Sequence, residues 1–303
     1  MSQPFALACK GGLNVNLNQL EIMRQPGLAT ELLNFEVDPD GGYRRINGFT
    51  LFGGGSSARP NSSNRILGLA VYADGLIACS GTGIFFSQDG TSWLQINKAS
   101  VSASGDNFST FSGRSNDARS SQGQCSFALF EGTTDYGEML ICDGANKPFF
   151  FKMTGTGALS DRTFFAGEIT VDSTTAPTVG VIHENHFVVG GAPTAKNKIF
   201  FSATLDPESF SGTGSGSIQL TDAIVGLASF RSDLIIFCKN SIFKLINISD
   251  SSNIAIVPIT QNVGCLDGNS IQEIGGDLLF LSPDGIRTVA GTARIGDVEL
   301  SSV

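Results

Sequence analysis

The chain has 303 residues and a formal net charge of −9, with 41% hydrophobic and 16% charged residues. Its 19 basic residues are scattered, which argues against a nucleic-acid-binding face, because phosphate affinity depends on clustered Lys and Arg. The 37 glycines and 23 phenylalanines are typical of short strands joined by tight turns and exclude a mainly helical or disordered chain. We therefore expect an all-β protein with one main domain.

The first segment, residues 1–50, is predicted to be an arm and a hairpin outside the main domain. A helix of a turn or two is predicted over residues 28–34, after Pro26-Gly27. The hairpin is predicted to pair residues 33–37 with residues 43–46.

The start of the chain has no basic stretch leading into an apolar one, and no apolar run approaches the ~20 residues that cross a bilayer. We expect synthesis and folding in the cytoplasm without membrane insertion. Arg44 and Arg45 in the hairpin are predicted either to pair with acidic groups of a neighbouring subunit or to lie on a solvated edge.

Residues 51–303 contain five repeats in which a short apolar run is followed, after a turn, by a second one. A recurrence of roughly 45 to 60 residues in units of short strands predicts a β-propeller of about five or six four-stranded blades. Runs that are apolar at nearly every position indicate sheets covered on both faces. The paired runs are residues 76–79 and 83–86, 139–142 and 148–151, 187–189 and 199–201, 234–237 and 241–243, and 278–281 and 285–286.

The first and fourth repeats show the predicted blade most clearly. The first has a turn at Asp74-Gly75 between its inner two strands, and the fourth has one at Arg231-Ser232. The remaining inner strands are predicted over residues 125–130, 179–182 and 270–274. The first and fourth blades are predicted to consist of residues 66–72, 76–79, 83–87 and 91–96, and of residues 225–230, 233–238, 241–246 and 254–258.

Two parts of the propeller depart from this plan. Residues 97–124, rich in Ser, Asn and Gly, are predicted to be an inserted loop, either functional or disordered. The last repeat has three clear strands before residues 297–300, so its blade is incomplete. Either the N-terminal hairpin supplies the missing strand, or the chain stops short of its natural end or is completed by a partner, because an unpaired edge is adhesive.

His183 and His186, the two histidines, flank a two-residue turn. As direct cross-strand partners they would point to one face of the sheet, where they could share a metal ion. The alternative is a structural or solvent-exposed pair, because two ligands make an incomplete metal site.

The segment from Ser87 to Trp93 resembles an abbreviated Asp-box, a turn of sialidase-like propellers. Its Asp89 carboxylate is expected to accept backbone N–H bonds, Gly90 to take a positive φ, and the aromatic ring to pack between blades. Residues 202–210, with Asp206 and Phe210, are a counterpart in the third repeat. These turns shape the fold and do not catalyse.

No catalytic or cofactor-binding constellation is visible. A sialidase needs clustered arginines and a Tyr–Glu pair, and neither can be assembled here. Residues 53–57 are glycine-rich but lack the lysine of a phosphate-binding loop. The cysteines form no C-x-x-C pair and are expected to be reduced core thiols, with disulfides or metal ligation as the alternative. They are Cys9, Cys79, Cys125, Cys142, Cys238 and Cys265.

Several segments together resemble tail nozzle and DNA-stabilisation proteins of short-tailed bacteriophages. The N-terminal fifty residues carry the most specific part of the likeness, and three later segments extend it over most of the chain. The segments are Gly11-Gly12-Leu13-Asn14, Pro26-Gly27, residues 33–37, residues 41–49, residues 202–210, residues 282–286 and residues 295–300.

The resemblance implies a virion protein without enzyme activity, assembled as a ring of six copies. It would form the distal tail tube, contact tail adaptor and tail fibre proteins, and conduct double-stranded DNA without binding it specifically. No metal or cofactor is implied. Two alternatives remain open: a secreted or surface carbohydrate-binding or sialidase-like propeller, and a soluble protein-docking propeller of the host.

Overall fold

The computed structural model describes residues 11–25, 27–38, 42–48, 60, 64–96, 123–132, 135–158, 161–172, 175–250 and 252–290. The chain divides into two compact units, Met1–Leu51 and Phe52–Val303. We call them the N-terminal unit and the propeller unit.

The N-terminal unit contains one helix, α1 (Gln19–Met23), and two strands, β1 (Phe35–Val37) and β2 (Tyr43–Arg45). The helix begins at Asn18, whose side chain accepts a 3.0 Å hydrogen bond from the Glu21 backbone, while the Glu21 carboxylate accepts one from the Asn18 backbone. This reciprocal capping favours helix at this point.

The predicted helix over residues 28–34 was wrong. Ala29 instead makes a parallel bridge with Leu13, and the segment is not helical. The N-cap signal lies ten residues upstream, at Asn18 and Glu21, and only the cap decides where so short a helix begins.

The predicted hairpin is confirmed, in a shorter form. Strands β1 and β2 are antiparallel, and they make a two-stranded sheet of their own. Among the described residues the hairpin therefore supplies no strand to the last blade.

The propeller unit contains five antiparallel sheets, each a meander in which consecutive strands pair. Four of the described sheets have four strands and the fifth has three, so the prediction of an incomplete last blade holds for the described residues. Blade 1 is β3 (Ile66–Tyr72), β4 (Gly75–Ser80), β5 (Gly83–Ser87) and β6 (Leu94–Gln95); blade 2 is β7 (Ser126–Phe130), β8 (Glu138–Cys142), β9 (Phe149–Thr154) and β10 (Thr163–Glu168); blade 3 is β11 (Val179–His183), β12 (His186–Gly190), β13 (Lys198–Phe201) and β14 (Gly216–Gln219); blade 4 is β15 (Ile224–Phe230), β16 (Asp233–Cys238), β17 (Ile242–Ile246) and β18 (Ala255–Thr260); blade 5 is β19 (Gln272–Ile274), β20 (Asp277–Ser282) and β21 (Gly285–Thr288).

The blades stack face to face in chain order. Each pair of consecutive blades encloses its own hydrophobic cluster, four clusters for the five described blades. Every residue of β8 and of β12 is buried, which confirms the prediction of sheets covered on both faces. The fold is an all-β propeller, as the sequence predicts.

Blades 1 and 2 meet through an aromatic cluster. Phe151, fully buried, lies 5.4 Å from Tyr72 and 6.0 Å from both Phe86 and Phe164, measured between ring centroids. Such rings add specific edge and stacking contacts to the burial of apolar area. The cluster joins two sheets that share no hydrogen-bonded strands.

Blades 1 and 4 carry the same irregularity in their inner strand. The pairing of β3 with β4 skips Leu67, and that of β15 with β16 skips Val225. A glycine follows each bulge and lets the next blade approach: a Cβ at Gly68 would lie 2.7 Å from Cys125, and one at Gly226 would lie 3.1 Å from the Gly268 Cα. The Leu67 carbonyl accepts a 2.9 Å hydrogen bond from Cys125. These bulges join neighbouring blades at their inner strands.

Two details of the predicted blades need correction, and a third concerns residues outside the described part of the chain. The first turn consists of Ala73 and Asp74, not Asp74 and Gly75, because Gly75 already pairs with Tyr72 and Ala73 takes the positive φ of 52°. The outer strand of blade 1 is only two residues long. Residues 97–122 and 297–300 fall outside the described part of the chain.

Candidate functional site

A cavity of about 190 Å³ lies between blades 2 and 3, and it collects charged side chains in an otherwise apolar blade interface. We call it the acidic cavity. Its polar wall is formed by Glu138, Lys152, Asp206 and Glu208, and its apolar wall by Phe130, Leu205 and Pro207, with Gly132 at the margin.

Two elements position the charged groups. Glu138 opens β8 and is the direct cross-strand partner of Lys152 on β9, so both side chains lie on the same face of blade 2. Asp206 and Glu208 come from the connection between β13 and β14 of blade 3. That connection turns sharply at Leu205, with φ 62°, and is closed by a 2.8 Å hydrogen bond from the Ala203 N–H to the Ser209 carbonyl.

Glu138 is the unusual member of the cavity. Its residue is 7% exposed, and its Oε1 atom has no hydrogen-bond partner among the described residues. The Lys152 ammonium lies 2.7 Å from Glu208 but 3.9 Å from Glu138 Oε2, beyond hydrogen-bond distance. Burial, with the neighbouring Glu208 carboxylate second, raises the pKa of Glu138 to about 8.

The arrangement offers negative charge and one carboxyl oxygen, Glu138 Oε1, that has no hydrogen-bond partner among the described residues. Sequence reasoning missed it because Glu138 precedes an apolar run and reads as a polar strand end. A charged residue directly before a buried strand was the available signal, since Glu is almost never fully buried without a partner. From the sequence, Asp206 and Glu208 were recognised only as part of the turn in residues 202–210.

The two histidines are cross-strand partners, as predicted, and both are buried, at 3% and 0% exposure. His186 Nδ1 lies 2.7 Å from the Ser202 carbonyl, and His183 Nδ1 lies 2.9 Å from the Ser229 hydroxyl. Burial lowers the pKa of His183. Within the described ranges, no group of three or more His, Cys, Asp and Glu side chains is placed to hold a metal ion. Both imidazoles are therefore buried and hydrogen-bonded, and neither is solvent-exposed.

The predicted Asp-box turn is present. Asp89 Oδ1 accepts hydrogen bonds from the Thr91 and Ser92 N–H groups at 2.8 and 2.9 Å, and Gly90 has φ 70°. A hydrogen bond from the Thr91 hydroxyl, followed by those from the two N–H groups, lowers the pKa of Asp89. In the counterpart, Phe210 packs edge-on against Phe187 at 6.1 Å, whereas Asp206 faces the acidic cavity. Both turns shape connections between strands.

Among the described residues, two arginines and one tyrosine, residue types that a sialidase uses, are engaged in other contacts. Arg162, its side chain 2% exposed, holds Asp74 with two hydrogen bonds of 2.6 and 2.7 Å. Arg287 pairs with Asp284, and the Tyr72 hydroxyl donates to the Gly137 carbonyl at 2.9 Å. These side chains therefore do not converge on a common substrate carboxylate.

A second cavity, of about 320 Å³, lies where the inner strands of blades 2, 3 and 4 begin. Two of its carboxylates are committed to backbone capping. Asp143 Oδ1 accepts from the Asn146 N–H at 2.8 Å, and Asp267 Oδ1 accepts from the Asn269 N–H at 2.9 Å.

The cysteine prediction is confirmed for the five cysteines within the described residues, which are all buried free thiols. Burial raises the pKa of Cys238 to about 12 and raises that of Cys142 and Cys265. These thiols are therefore protonated and poor nucleophiles. Cys9 lies outside the described residues.

Three of the N-terminal segments that carry the phage resemblance meet inside the N-terminal unit. The Tyr43 hydroxyl lies 2.8 Å from the Gly12 carbonyl oxygen and 2.9 Å from that of Gly27, and the Gly11 N–H also donates to Gly27. Arg44 pairs with Glu36 of its own hairpin at 2.6 Å, on an exposed surface. Pairing with another subunit stays a prediction for both Arg44 and Arg45.

No protein-family model matches the chain, and no curated protein matches it. Solved structures do. YCF48 from Cyanidioschyzon merolae aligns with a TM-score of 0.43 at 11% identity, over 81% of this chain and 72% of that one. BamB from Moraxella catarrhalis aligns at 0.41 and 11%, over 73% and 56%. The Pan2 WD40 domain of Neurospora crassa aligns at 0.39 and 10%, over 74% and 64%. All three are β-propellers.

In the described part of the chain no helix has both the length and the apolar character needed to cross a membrane.

Proposed function

We propose that this chain is a structural protein of the tail of a short-tailed bacteriophage. Copies of it form a ring that serves as the nozzle and distal tail tube, retains the packaged DNA, and conducts it during ejection. Tail adaptor and tail fibre proteins are its partners. The proposal starts from the sequence resemblance, whose N-terminal segments fold against one another around Tyr43, Gly12 and Gly27.

The observation that carries the proposal is the apolar surface of the N-terminal unit. Leu20 is 74% exposed and Met23 is 80% exposed, and they lie three residues apart on the short helix α1. Contiguous exposed apolar groups mark contact surfaces between proteins. In the described part of this unit, the exposed large apolar residues are Leu13, Val15, Leu20, Met23, Leu33, Phe35 and Ile46.

The propeller unit is better suited to a structural role, in the wall of a tail tube, than to catalysis. Several of its polar groups are committed to turns and to ion pairs between blades, as at Asp89 and Arg162. The net charge of −9 disfavours adhesion to DNA phosphates, so a duplex would pass without sequence-specific contact.

The test is the assembly state of the purified full chain, by light scattering and negative-stain microscopy. We expect ring-shaped particles, and we expect a Leu20→Asp, Met23→Asp double variant to be monomeric. Val257→Asp is the matched control, because Val257 is exposed but lies on β18 of the propeller unit. A wild-type protein that stays monomeric at every concentration and is absent from virions would refute the proposal.

A second test addresses the passage of DNA. In an electrophoretic mobility assay at low salt, we expect the assembled protein not to retard duplex DNA. Tight, salt-dependent retardation would contradict the role of a non-adhesive conduit.

A further inference from the structure

The two histidines of the chain lie together where blade 3 meets blade 4. We call this contact the histidine seam, formed by His183 and His186 of blade 3 and by Ser229 and Ser249 of blade 4. His183 Nδ1 lies 2.9 Å from the Ser229 hydroxyl on β15, and His186 Nε2 lies 3.3 Å from the Ser249 hydroxyl, between β17 and β18. The end of the β11–β12 hairpin is therefore held to a separate sheet by both of its imidazoles.

The neutral form of His186 fits its surroundings. Its Nδ1 atom lies 2.7 Å from the Ser202 carbonyl oxygen, which can only accept, so the hydrogen of the neutral ring is on Nδ1 and Nε2 is the acceptor. The Thr204 and Ser249 hydroxyls both lie 3.3 Å from that Nε2 atom. Both ring nitrogens of His186 therefore have partners without a positive charge on the ring.

A protonated His183 does not fit the closed seam. Its Nε2 atom is buried and has no hydrogen-bond partner among the described residues. Both nitrogens of an imidazolium are donors, so protonation would place a buried N–H group at Nε2 without an acceptor. His183 is also the direct cross-strand partner of His186, so charge on both rings would add repulsion between neighbours. The proton is accommodated only when the hairpin end leaves the seam and the ring is hydrated.

The charged groups around His183 do not reverse this preference. Burial is the largest influence, and it lowers the pKa of His183. Glu184 in the hairpin turn and Asp233 at the start of β16 favour the charged ring, whereas His186 disfavours it. Asp233 is already paired with Lys244 at 3.1 Å. The closed seam therefore favours the neutral ring over the imidazolium.

We propose that the histidine seam is a pH-sensitive switch, in which the end of the β11–β12 hairpin detaches locally from blade 4 as the pH falls from 7 to 5. Protons favour the open form because a hydrated His183 takes up a proton that the closed form excludes. The interface between blades 1 and 2 contains no histidine, so it stays closed over the same range. The inference does not depend on ring assembly, because the seam lies within the propeller unit.

The test is amide hydrogen exchange of the full chain at pH 5 and pH 7, followed by mass spectrometry and corrected for the intrinsic exchange rate at each pH. We expect the opening constant of the β11–β12 hairpin to rise by about fivefold to 25-fold at pH 5. The upper value is the limit for one histidine that has its ordinary pKa of about 6.5 in the open form. Strands β4 and β9, at the interface between blades 1 and 2, are the internal control, and their opening constants should change by less than about twofold.

Two variants separate a proton switch from a seam that is merely weak. His183→Gln keeps a polar amide but takes up no proton in this range, so its rise in opening should fall below about twofold. Glu184→Gln is the matched control: it removes a carboxylate that favours the charged ring in the closed form, so the rise should be at least as large as in the wild type. The proposal is overturned if the wild-type hairpin opens no more at pH 5 than β4 and β9 do, or if His183→Gln retains the wild-type rise. The wild-type comparison alone decides the matter if His183→Gln does not fold.

Discussion

The ion pair between Arg162 and Asp74 clamps blade 1 to blade 2, and removing it should loosen the stack. The Arg162 side chain is 2% exposed, and its guanidinium donates two hydrogen bonds of 2.6 and 2.7 Å to Asp74. It also donates to the Gly157 carbonyl and lies 5.2 Å from the centre of the Tyr136 ring. We expect Arg162→Met to destabilise the propeller unit.

The magnitude follows from the unequal burial of the partners. Exposed ion pairs are worth about 0 to 1 kcal/mol, and breaking a fully buried pair costs about 3 to 5 kcal/mol. Here the arginine is buried, but the Asp74 side chain is 50% exposed and therefore screened by solvent. An intermediate coupling of about 2 kcal/mol is expected from the double-mutant cycle of Arg162→Met and Asp74→Asn.

The pH dependence gives the same pair a second test. Hydrogen bonds from Arg162 hold the pKa of Asp74 well below its usual range. The folded state therefore favours the ionised carboxylate, and this stabilisation is present above pH ~4 and lost as the pH falls toward the folded-state pKa. Urea unfolding of the wild type, the two single variants and the double variant is followed by circular dichroism at pH 7 and pH 2.5. It measures both the coupling energy and its dependence on pH. A coupling below about 0.5 kcal/mol at pH 7, or one that does not shrink at pH 2.5, would refute the reasoning.

Three further predictions concern packing and protonation. Gly226→Ala should destabilise the protein by about 1 to 3 kcal/mol in urea unfolding, because its Cβ would meet the side chain of Ile271, whereas Gly48→Ala, with open space around it, should be near neutral. Phe151→Ala should cost about 3 to 5 kcal/mol and Phe151→Leu clearly less, because the ring is fully buried. As the pH drops from 7 to 5, the wild type should lose stability relative to His183→Gln. Burial lowers the pKa of His183, so the unfolded chain takes up the proton first.

A specific result would contradict each of these three predictions. Equal stability of the two glycine variants would show that the blades are not in close contact at the bulge. A cost below about 1 kcal/mol for Phe151→Ala would show that the aromatic cluster does not join the blades. A pH profile unchanged by His183→Gln would show that this imidazole is not held neutral by burial.

The repeat pattern was readable from the sequence because every blade obeys the same local rules. The strands β3, β5 and β16 begin or end where apolar runs meet glycine or polar turns, and the structure places them at the predicted bounds. The repeat period and the strand lengths are local properties, so they can be predicted without knowing which blades pack together. The Arg231-Ser232 turn was equally predictable, since only two residues separate two strong strands.

The predictions of the helix and of the first turn were wrong because one or two local contacts decide the conformation there. Helix α1 depends on a reciprocal cap between Asn18 and Glu21, which outweighed the more obvious stretch after Gly27. The turn at Ala73 was displaced by one residue, because residues other than glycine can take a positive φ when the flanking strands are strong.

The spacing of short apolar runs is enough to predict the modular, all-β character of the chain. The tertiary structure alone decided which polar groups came together. Arg162 meets Asp74 across 88 positions, and Glu138 shares a cavity with Glu208 of the next blade, 70 positions on. Such contacts arise from the stacking of whole sheets, and no local pattern encodes the face or depth at which two blades place their side chains.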